Sequence, residues 1–329
     1  MITNIPFFNY QLLFDQHKEQ LTNIFQDVSS RGAFIMQDDL INFEERLAKY
    51  TCAKYALGVG NATDALQLLL KAGDIGVGDE VIFCSHTMVA TASAVAFTGA
   101  TPIPVEAKED HLIDPKSIKD AITSRTRAII PTQLNGRIAS MDEIVNIAKE
   151  HDLQIFEDSA QALGAKFKGQ SAGTFGLGGC ISFYPAKTLG CFGDGGAVIT
   201  NDENIYNKIK LMRDHGRGED GNVSVWGFNS RLDNLQSAIL NYFLNSYDQT
   251  VERRRNIARL YHERLKGISE IVLPPAPDSD TVHFDIFQNY EIQAEKRDKL
   301  REFLFENGIG TIIQWGGRAV HEYKDLGFT

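Results

Sequence analysis

The 329 residues carry 33 Lys and Arg against 43 Asp and Glu, a formal net charge of -10. That balance disfavours phosphate-backbone binding as the main business of the chain, while leaving room for a local pocket that takes a phosphorylated small molecule. Apolar residues at 43% and charged residues at 23% exclude a disordered chain, and the length exceeds one compact core, so a large domain plus a smaller one is expected.

The opening MITNIPFFNYQLLFDQ has no basic stretch followed by an apolar core, so no signal peptide is expected. No run of about 18 or more apolar residues occurs, so no membrane span is expected. From about residue 40 helical and strand patterns alternate. IMQDDLINFEERLAKYT places Leu40, Phe43, Leu47 and Tyr50 at helical spacing. YALGVG follows as a strand, and ATDALQLLLKAG as a helix ended by Gly73. DEVIFC and TPIPVE read as strands on either side of the helix HTMVATASAVAFTG. RAIIPT, MDEIVNIAKEHD, LQIFED, GCISFY and AVITN continue the alternation. Apolar strands separated by helices predict βαβ units and a mostly parallel sheet with helices on both faces, an α/β fold.

The texture changes near residue 230. LDNLQSAILNYFLNSYDQTVERRRNIARLYHERLKG reads as one long helical stretch, and its ERRR run as a solvated face. A proline-rich loop, IVLPPAPDSDTV, leads to a strand-like HFDIFQNYEI and a helix KRDKLREFLFENG. The expected division is a large domain over 1–245 and a smaller α+β domain over 246–329. Cys52, Cys84, Cys180 and Cys191 lack C-x-x-C spacing and read as buried free thiols of a cytoplasmic protein, with no metal site suggested.

Ligands of open α/β sheets bind beyond the carboxyl ends of the strands, and four stretches put chemically useful residues there. In VGNATDALQLLL, Gly60 to Thr63 open a helix: either a phosphate cradle of free N–H groups or an ordinary cap by Asn61 or Thr63. In LQIFEDSAQALGA, Glu157 and Asp158 end a strand and Gln161 follows; one carboxylate can cap a turn, or hold a protonated ring nitrogen. In ISFYPAKTLGCFGDGGAVI, Lys187 is either a solvated lysine after a strand or an amine made nucleophilic by burial, with Ser182 able to donate to a phosphate. In WGFNSRLDNLQSAIL, Asn229 and Asp233 are caps or Arg231 is an anion-binding fork. In this order, the cradle, acid, serine and lysine suit one ligand, pyridoxal 5'-phosphate.

VGNATDALQLLL, HTMVATASAVAFTGATPIPVE, FEDSAQALGAKFKGQSAGTFG, SFYPAKTLGCFGDGGAVITND, LMRDHG and NSRLDNLQSAIL together resemble the sugar-nucleotide aminotransferases of the DegT/DnrJ/EryC1/StrS family. The resemblance runs from about residue 20 to the end. It implies a fold type I pyridoxal-phosphate enzyme, with Lys187 as the Schiff-base lysine and proton shuttle. It also implies that Asp158 holds the pyridine nitrogen protonated and that Gln161 bonds the phenolic oxygen. Ala62 and Thr63, with Ser182, would bind the phosphate. Asn229 would reach the cofactor of the neighbouring subunit, implying a homodimer with sites at its interface. His215 and Arg231 would contact the sugar nucleotide. The implied reaction is ping-pong transfer from L-glutamate to a nucleotide-linked keto-sugar. Family alternatives are a dehydratase-type enzyme, which carries histidine in place of this lysine, or an inactive regulatory homologue. A nucleotide-binding oxidoreductase is disfavoured because no G-x-G-x-x-G follows an early strand.

The chain departs from the family pattern in places. Met88 follows Thr87 where many members place an aromatic residue over the cofactor ring. Thr132, Gln133, Leu134, Asn135 and Gly136 stand where many read V-H-L-Y-G, and Gln314, Trp315 and Gly316 replace a His-Tyr-Pro segment. These changes point to an unusual substrate, met by Gln314 and Trp315. The NSRLD form resembles members that aminate C3 of the sugar. The final KDLGFT falls where relatives continue, so further small-domain elements are expected beyond it.

Overall fold

The computed structural model describes residues 4–328. Two helices, α1 (Tyr10–Arg31) and α2 (Asp38–Thr51), lead into β1 (Tyr55–Val59), α3 (Ala62–Ala72), β2 (Glu80–Cys84), α4 (Val89–Ala96) and β3 (Thr101–Val105). There follow α5 (Pro115–Ala121), β4 (Thr126–Ile130), α6 (Met141–Glu150), β5 (Gln154–Asp158), the short β6 (Lys166–Phe167) and β7 (Gln170–Ser171), then β8 (Gly178–Ser182) and β9 (Gly196–Thr200). The remainder holds α7 (Glu203–Met212), α8 (Asn234–Leu244), α9 (Tyr247–Leu265), β10 (Ile271–Val272), β11 (His283–Phe284), β12 (Gln293–Ala294) and α10 (Arg297–Glu306). No helix among the described residues is long and apolar enough to cross a membrane.

Seven strands form one sheet in the order β1-β9-β8-β5-β4-β2-β3. Only β9 runs against its neighbours, pairing antiparallel with β1 and β8, while β8, β5, β4, β2 and β3 pair in parallel. Because successive side chains of a strand point to opposite faces, Val81 and Phe83, Ala128 and Ile130, Phe156, Cys180 and Val198 pack under α3 and α7. Ile82 and Cys84, Ile129, Ile155, Ile181, Ala197 and Ile199 pack with α2, α6 and α8 on the other face. Both faces are apolar, which is why the strands read as continuous hydrophobic runs. Each fully buried Leu, Ile, Val or Phe contributes roughly 1.5–3 kcal/mol over its exposed state.

With β1 antiparallel to β9 and β9 antiparallel to β8, β1 points the same way as the parallel strands. The carboxyl ends of β1, β2, β4, β5 and β8 therefore meet at one edge, and the loops after Val59, Cys84, Ile130, Asp158 and Ser182 converge there.

Four sequence expectations are corrected. The long helical stretch breaks after Leu244 and restarts at Tyr247, giving α8 and α9. Its ERRR run is not a solvated face: Glu252 and Arg253 are exposed, but Arg255 is 2% exposed and donates to the carbonyl of Asp285 and to Asp278. A helix that turns one side to the chain behind it buries whichever charge falls on that side, provided partners are waiting. The HFDIFQNYEI segment contributes a two-residue strand, His283–Phe284, because its next backbone groups bond a loop instead: Ile286 N donates to Gly136 O (3.0 Å) and Gln288 N to Asn135 O (2.9 Å). Of the four free thiols, Cys52 is exposed, at the end of α2.

Candidate active site

The two acids at the end of β5 face opposite ways. Glu157 is fully buried and accepts from Gly173 N (2.9 Å), Phe175 N (2.6 Å) and Gln133 Nε2 (2.7 Å). Burial pushes its carboxyl up to about 7, against the pull of those donors. It is a tie between the sheet and the 173–175 turn.

Asp158 turns toward the start of α4. Thr91 Oγ1 donates to its Oδ2 at 2.7 Å, Ala160 N to its Oδ1 at 3.2 Å, and the Cys180 thiol lies 3.6 Å from Oδ1. Thr91 Oγ1 is 2.9 Å from Thr87 Oγ1, itself 3.0 Å from Thr132 Oγ1. With Thr91 spending its one proton on the carboxylate, Thr87 must donate to Thr91 and Thr132 to Thr87, a hydroxyl chain aimed at Asp158. Every direct donor is neutral, and Asp158 forms no ion pair within 4.0 Å among the described residues, so its charge is not spent on a neighbouring side chain.

Lys187 lies in the turn after β8, its N–H bonded to Tyr184 O at 2.8 Å. Among the described residues its amine has neither hydrogen-bond nor ion-pair partner. Burial lowers its pKa below the ordinary lysine value, and attraction to Asp158 and Cys180 offsets only part of that. The carboxylate it senses is thus Asp158 from another strand, not the nearer-in-sequence Asp194. Gln288 clamps the turn from both sides: its Nε2 donates to Ala186 O and its Oε1 accepts from Thr188 N, each at 2.9 Å. Thr188 Oγ1 sits 2.7 Å from Tyr247 Oη, whose proton goes to Leu163 O (2.8 Å).

At the start of α3 the capping question is answered for Asn61, whose side chain accepts from Asp64 N at 2.9 Å. Ser230 Oγ ties Gly60 N (3.1 Å) to Asp64 Oδ2 (2.7 Å). The N–H groups of Ala62 and Thr63 have no partner among the described residues and lie at the positive end of the helix. A Cβ on Gly196 would stand 2.4 Å from the Asn61 carbonyl carbon and 2.7 Å from Ala62 N, so only glycine lets β9 approach this turn. Ser182 Oγ accepts from Tyr184 N at 3.3 Å and keeps its hydroxyl proton to give. Gln161 Oε1 accepts from Asn135 N at 2.8 Å, leaving its amide N–H groups as the part that can donate elsewhere.

These residues fit the cofactor that the resemblance implies. Unpaired N–H groups and a serine hydroxyl suit a phosphate, an uncompensated carboxylate suits a protonated ring nitrogen, and a half-buried amine without a partner among the described residues suits an aldehyde.

The other expected residues are placed as follows. Met88 stands at the N-terminal cap of α4, 48% exposed. Asn229 is exposed and bridges to Asp214. His215, beside Asp214, has a positive φ of 60° and is exposed, and Arg231 Nη1 pairs with Asp214 Oδ1 at 2.8 Å. Asp214, His215, Asn229 and Arg231 form one patch, which makes no hydrogen bond to Lys187 among the described residues. Gln314 Nε2 donates to Asn135 Oδ1 (2.8 Å) and lies 3.3 Å from Glu291 Oε2. Trp315 follows at φ 51° with a buried indole N–H that has no partner among the described residues. Asn135 thus links Gln314 to Gln161.

The sequence reading missed Thr91, Gln288 and Glu291, and took Thr132 only as a departure in the substrate region rather than as part of the chain that aims Asp158. Thr91 was findable, one helical turn after Thr87. Gln288 was not, since its partners at 186 and 188 stand about a hundred residues away in sequence.

The model of the DegT/DnrJ/EryC1/StrS aminotransferase family matches residues 15–326. A dTDP-3-amino-3,4,6-trideoxy-alpha-D-glucose transaminase of Streptomyces venezuelae is 39% identical over 313 residues, 94% of this chain and 82% of the relative. A pleiotropic regulatory protein of Geobacillus stearothermophilus is 38% identical over 314 residues, 95% and 84% of the two chains. The crystal structure of S. venezuelae DesV in complex with a ketimine intermediate superposes with a TM-score of 0.92 at 38% identity, covering 97% of this chain and 85% of that one.

Proposed function

Since the chain belongs to the DegT/DnrJ/EryC1/StrS aminotransferase family and is a pyridoxal-phosphate-dependent transaminase, we propose that it carries an amino group from L-glutamate to a nucleotide-linked keto-sugar, at C3, for surface polysaccharide or glycoconjugate synthesis. The observation that carries this reading is the opposition of Asp158, held only by neutral donors, to the unpartnered Lys187 amine. The amination at C3 is supported by the NSRLD stretch at 229–233 and by the 3-amino sugar named for the 39% identical transaminase of S. venezuelae.

Bound at this site, pyridoxal 5'-phosphate supplies the electron sink that stores the amino group between two half-reactions. The N–H groups of Ala62 and Thr63 and the Ser182 hydroxyl hold its phosphate. Asp158 keeps a proton on the ring nitrogen, and the Thr132–Thr87–Thr91 chain keeps that carboxylate aimed. Gln161 donates its remaining amide hydrogens to the phenolic oxygen. Lys187 would hold the cofactor, and its Nζ would take and return a proton; burial lowers the pKa of that amine below the ordinary lysine value. Gln288 fixes where Nζ stands. Met88 packs a thioether where relatives stack a ring. We place Asn229 against the partner subunit's cofactor in a homodimer, His215 and Arg231 at the nucleotide end, and Gln314 and Trp315 at the sugar. The segment 246–329 serves as the smaller domain in this reading, and the protein works in the cytoplasm.

Half-reaction spectroscopy tests the proposal. The purified protein should absorb in the visible, lose that band on adding L-glutamate, and regain it only with nucleotide-linked 3-keto-sugars. A band indifferent to glutamate would remove the donor, and recovery with 4-keto-sugars alone would remove C3.

A further inference from the structure

We propose that His86, His111 and Glu291 form a binding site for one divalent cation of the zinc class. The three come from separate segments: the loop between β2 and α4, the turn after β3, and the stretch that docks on Asn135 and Gly136. One nitrogen or oxygen from each lies within 4.8 Å of the other two. His86 Nε2 stands 3.8 Å from Glu291 Oε1, and the two imidazole centroids are 5.1 Å apart. At these separations the groups face one another without hydrogen-bonding, with room for an ion between them.

Independent details point to a ligand. His86 Nε2 is buried and has no hydrogen-bond partner among the described residues, and such atoms are rare in a folded chain. The other oxygen of Glu291, Oε2, takes Asn135 Nδ2 at 2.5 Å and Gln314 Nε2 at 3.3 Å. That is how an outer shell orients a ligating carboxylate, and it leaves Oε1 turned to His86. His111 Nε2 stands 3.3 Å from Gln293 Nε2.

Two imidazoles and one carboxylate make the three-ligand set of open zinc sites, which keep a fourth position for water or a substrate oxygen. Magnesium and calcium prefer all-oxygen shells. His111 and Glu291 also line a cavity with Asn135, Gln293, Glu109, Asp110 and Arg137. The nearby cations are already engaged: Lys108 pairs with Asp110 at 3.2 Å, and Arg137 with Asp280 (3.1 Å) and Asp285. Asn135, which orients Glu291, also donates to Gln161, so the ion would stand next to the amino-transfer site.

The test is calorimetric titration of ZnCl2 into the chelator-treated, cofactor-loaded full chain carrying Cys52→Ser to remove the exposed thiol. One equivalent of Zn2+ should bind, at least tenfold more tightly than Mg2+. His111→Ala and Glu291→Gln should each weaken it by about 100-fold, while an unchanged visible band shows the chain still folds and holds its cofactor. Absence of saturable Zn2+ binding, binding undiminished by both substitutions, or preference for Mg2+ would each overturn the site.

Discussion

Thr91 Oγ1 donates to Asp158 Oδ2 at 2.7 Å, joining the first turn of α4 to the end of β5. Thr87, one helical turn earlier, hands its own proton to Thr91. The acid at the base of the site is therefore aimed by a helix from another strand connection, and not by its own loop alone.

Replacing Thr91 by Val keeps the shape and removes the donor. A buried hydrogen bond to a charged group is worth about 1.5–3 kcal/mol, so cofactor affinity should fall at least tenfold. Titration of the visible band with pyridoxal 5'-phosphate measures it, and an unchanged affinity would show that Thr91 has no part in holding Asp158.

Lys187→Ala should abolish the borohydride-reducible adduct and turnover while leaving thermal stability nearly unchanged, because the amine makes no bond within the chain. In the cofactor-free chain the amine reacts only when unprotonated. Since burial lowers its pKa, the rate of cofactor capture should rise with pH through a midpoint below the ordinary lysine value of about 10.4. A midpoint at or above that value counts against a dry site.

Gln288 holds Lys187 without touching substrate. Gln288→Ala leaves Ala186 O and Thr188 N unpaired, at about 1–3 kcal/mol each where buried, and should lower kcat at least tenfold with KM little changed. Gln288→Glu keeps the acceptor for Thr188 N and loses the donor to Ala186 O, so its kcat should fall between the two. Equal kcat in all three forms would leave the clamp without a catalytic role.

Glu157 makes the protein's stability depend on pH in a defined window. Its carboxyl is raised from 4.5 to about 7, so the folded chain binds this proton more tightly than the unfolded chain. The stability linked to that proton is fully present below about pH 4.5 and is lost as pH rises to about 7. Glu157→Gln removes the titration and sets an amide N–H against a backbone N–H, so the variant should be less stable throughout. Its deficit in melting temperature should be largest at low pH and shrink toward pH 7. A deficit that widens with pH would reverse the assignment.

The α/β alternation was legible because strands buried on both faces spell apolar runs, as Val81 to Cys84 and Phe156 do, and helices spell their 3.6-residue period. The placement of Lys187, Asp158, Gln161 and the Ala62–Thr63 turn at or after strand ends was legible as well, since the pattern marks those ends. The ERRR run misled because its charge says nothing about which side of α9 meets the chain behind it. The break at Asn245–Ser246 carried no proline or glycine to announce it.

The amino-acid order by itself determined the strand ends, and so which side chains gather at one edge of the sheet, because period and burial are local properties. Only the tertiary structure decided which of two adjacent acids faces the site, which glutamine clamps the lysine, and that His86, His111 and Glu291 meet. Those facts depend on contacts between segments as far apart as 111 and 291, where no local pattern constrains one residue by the other.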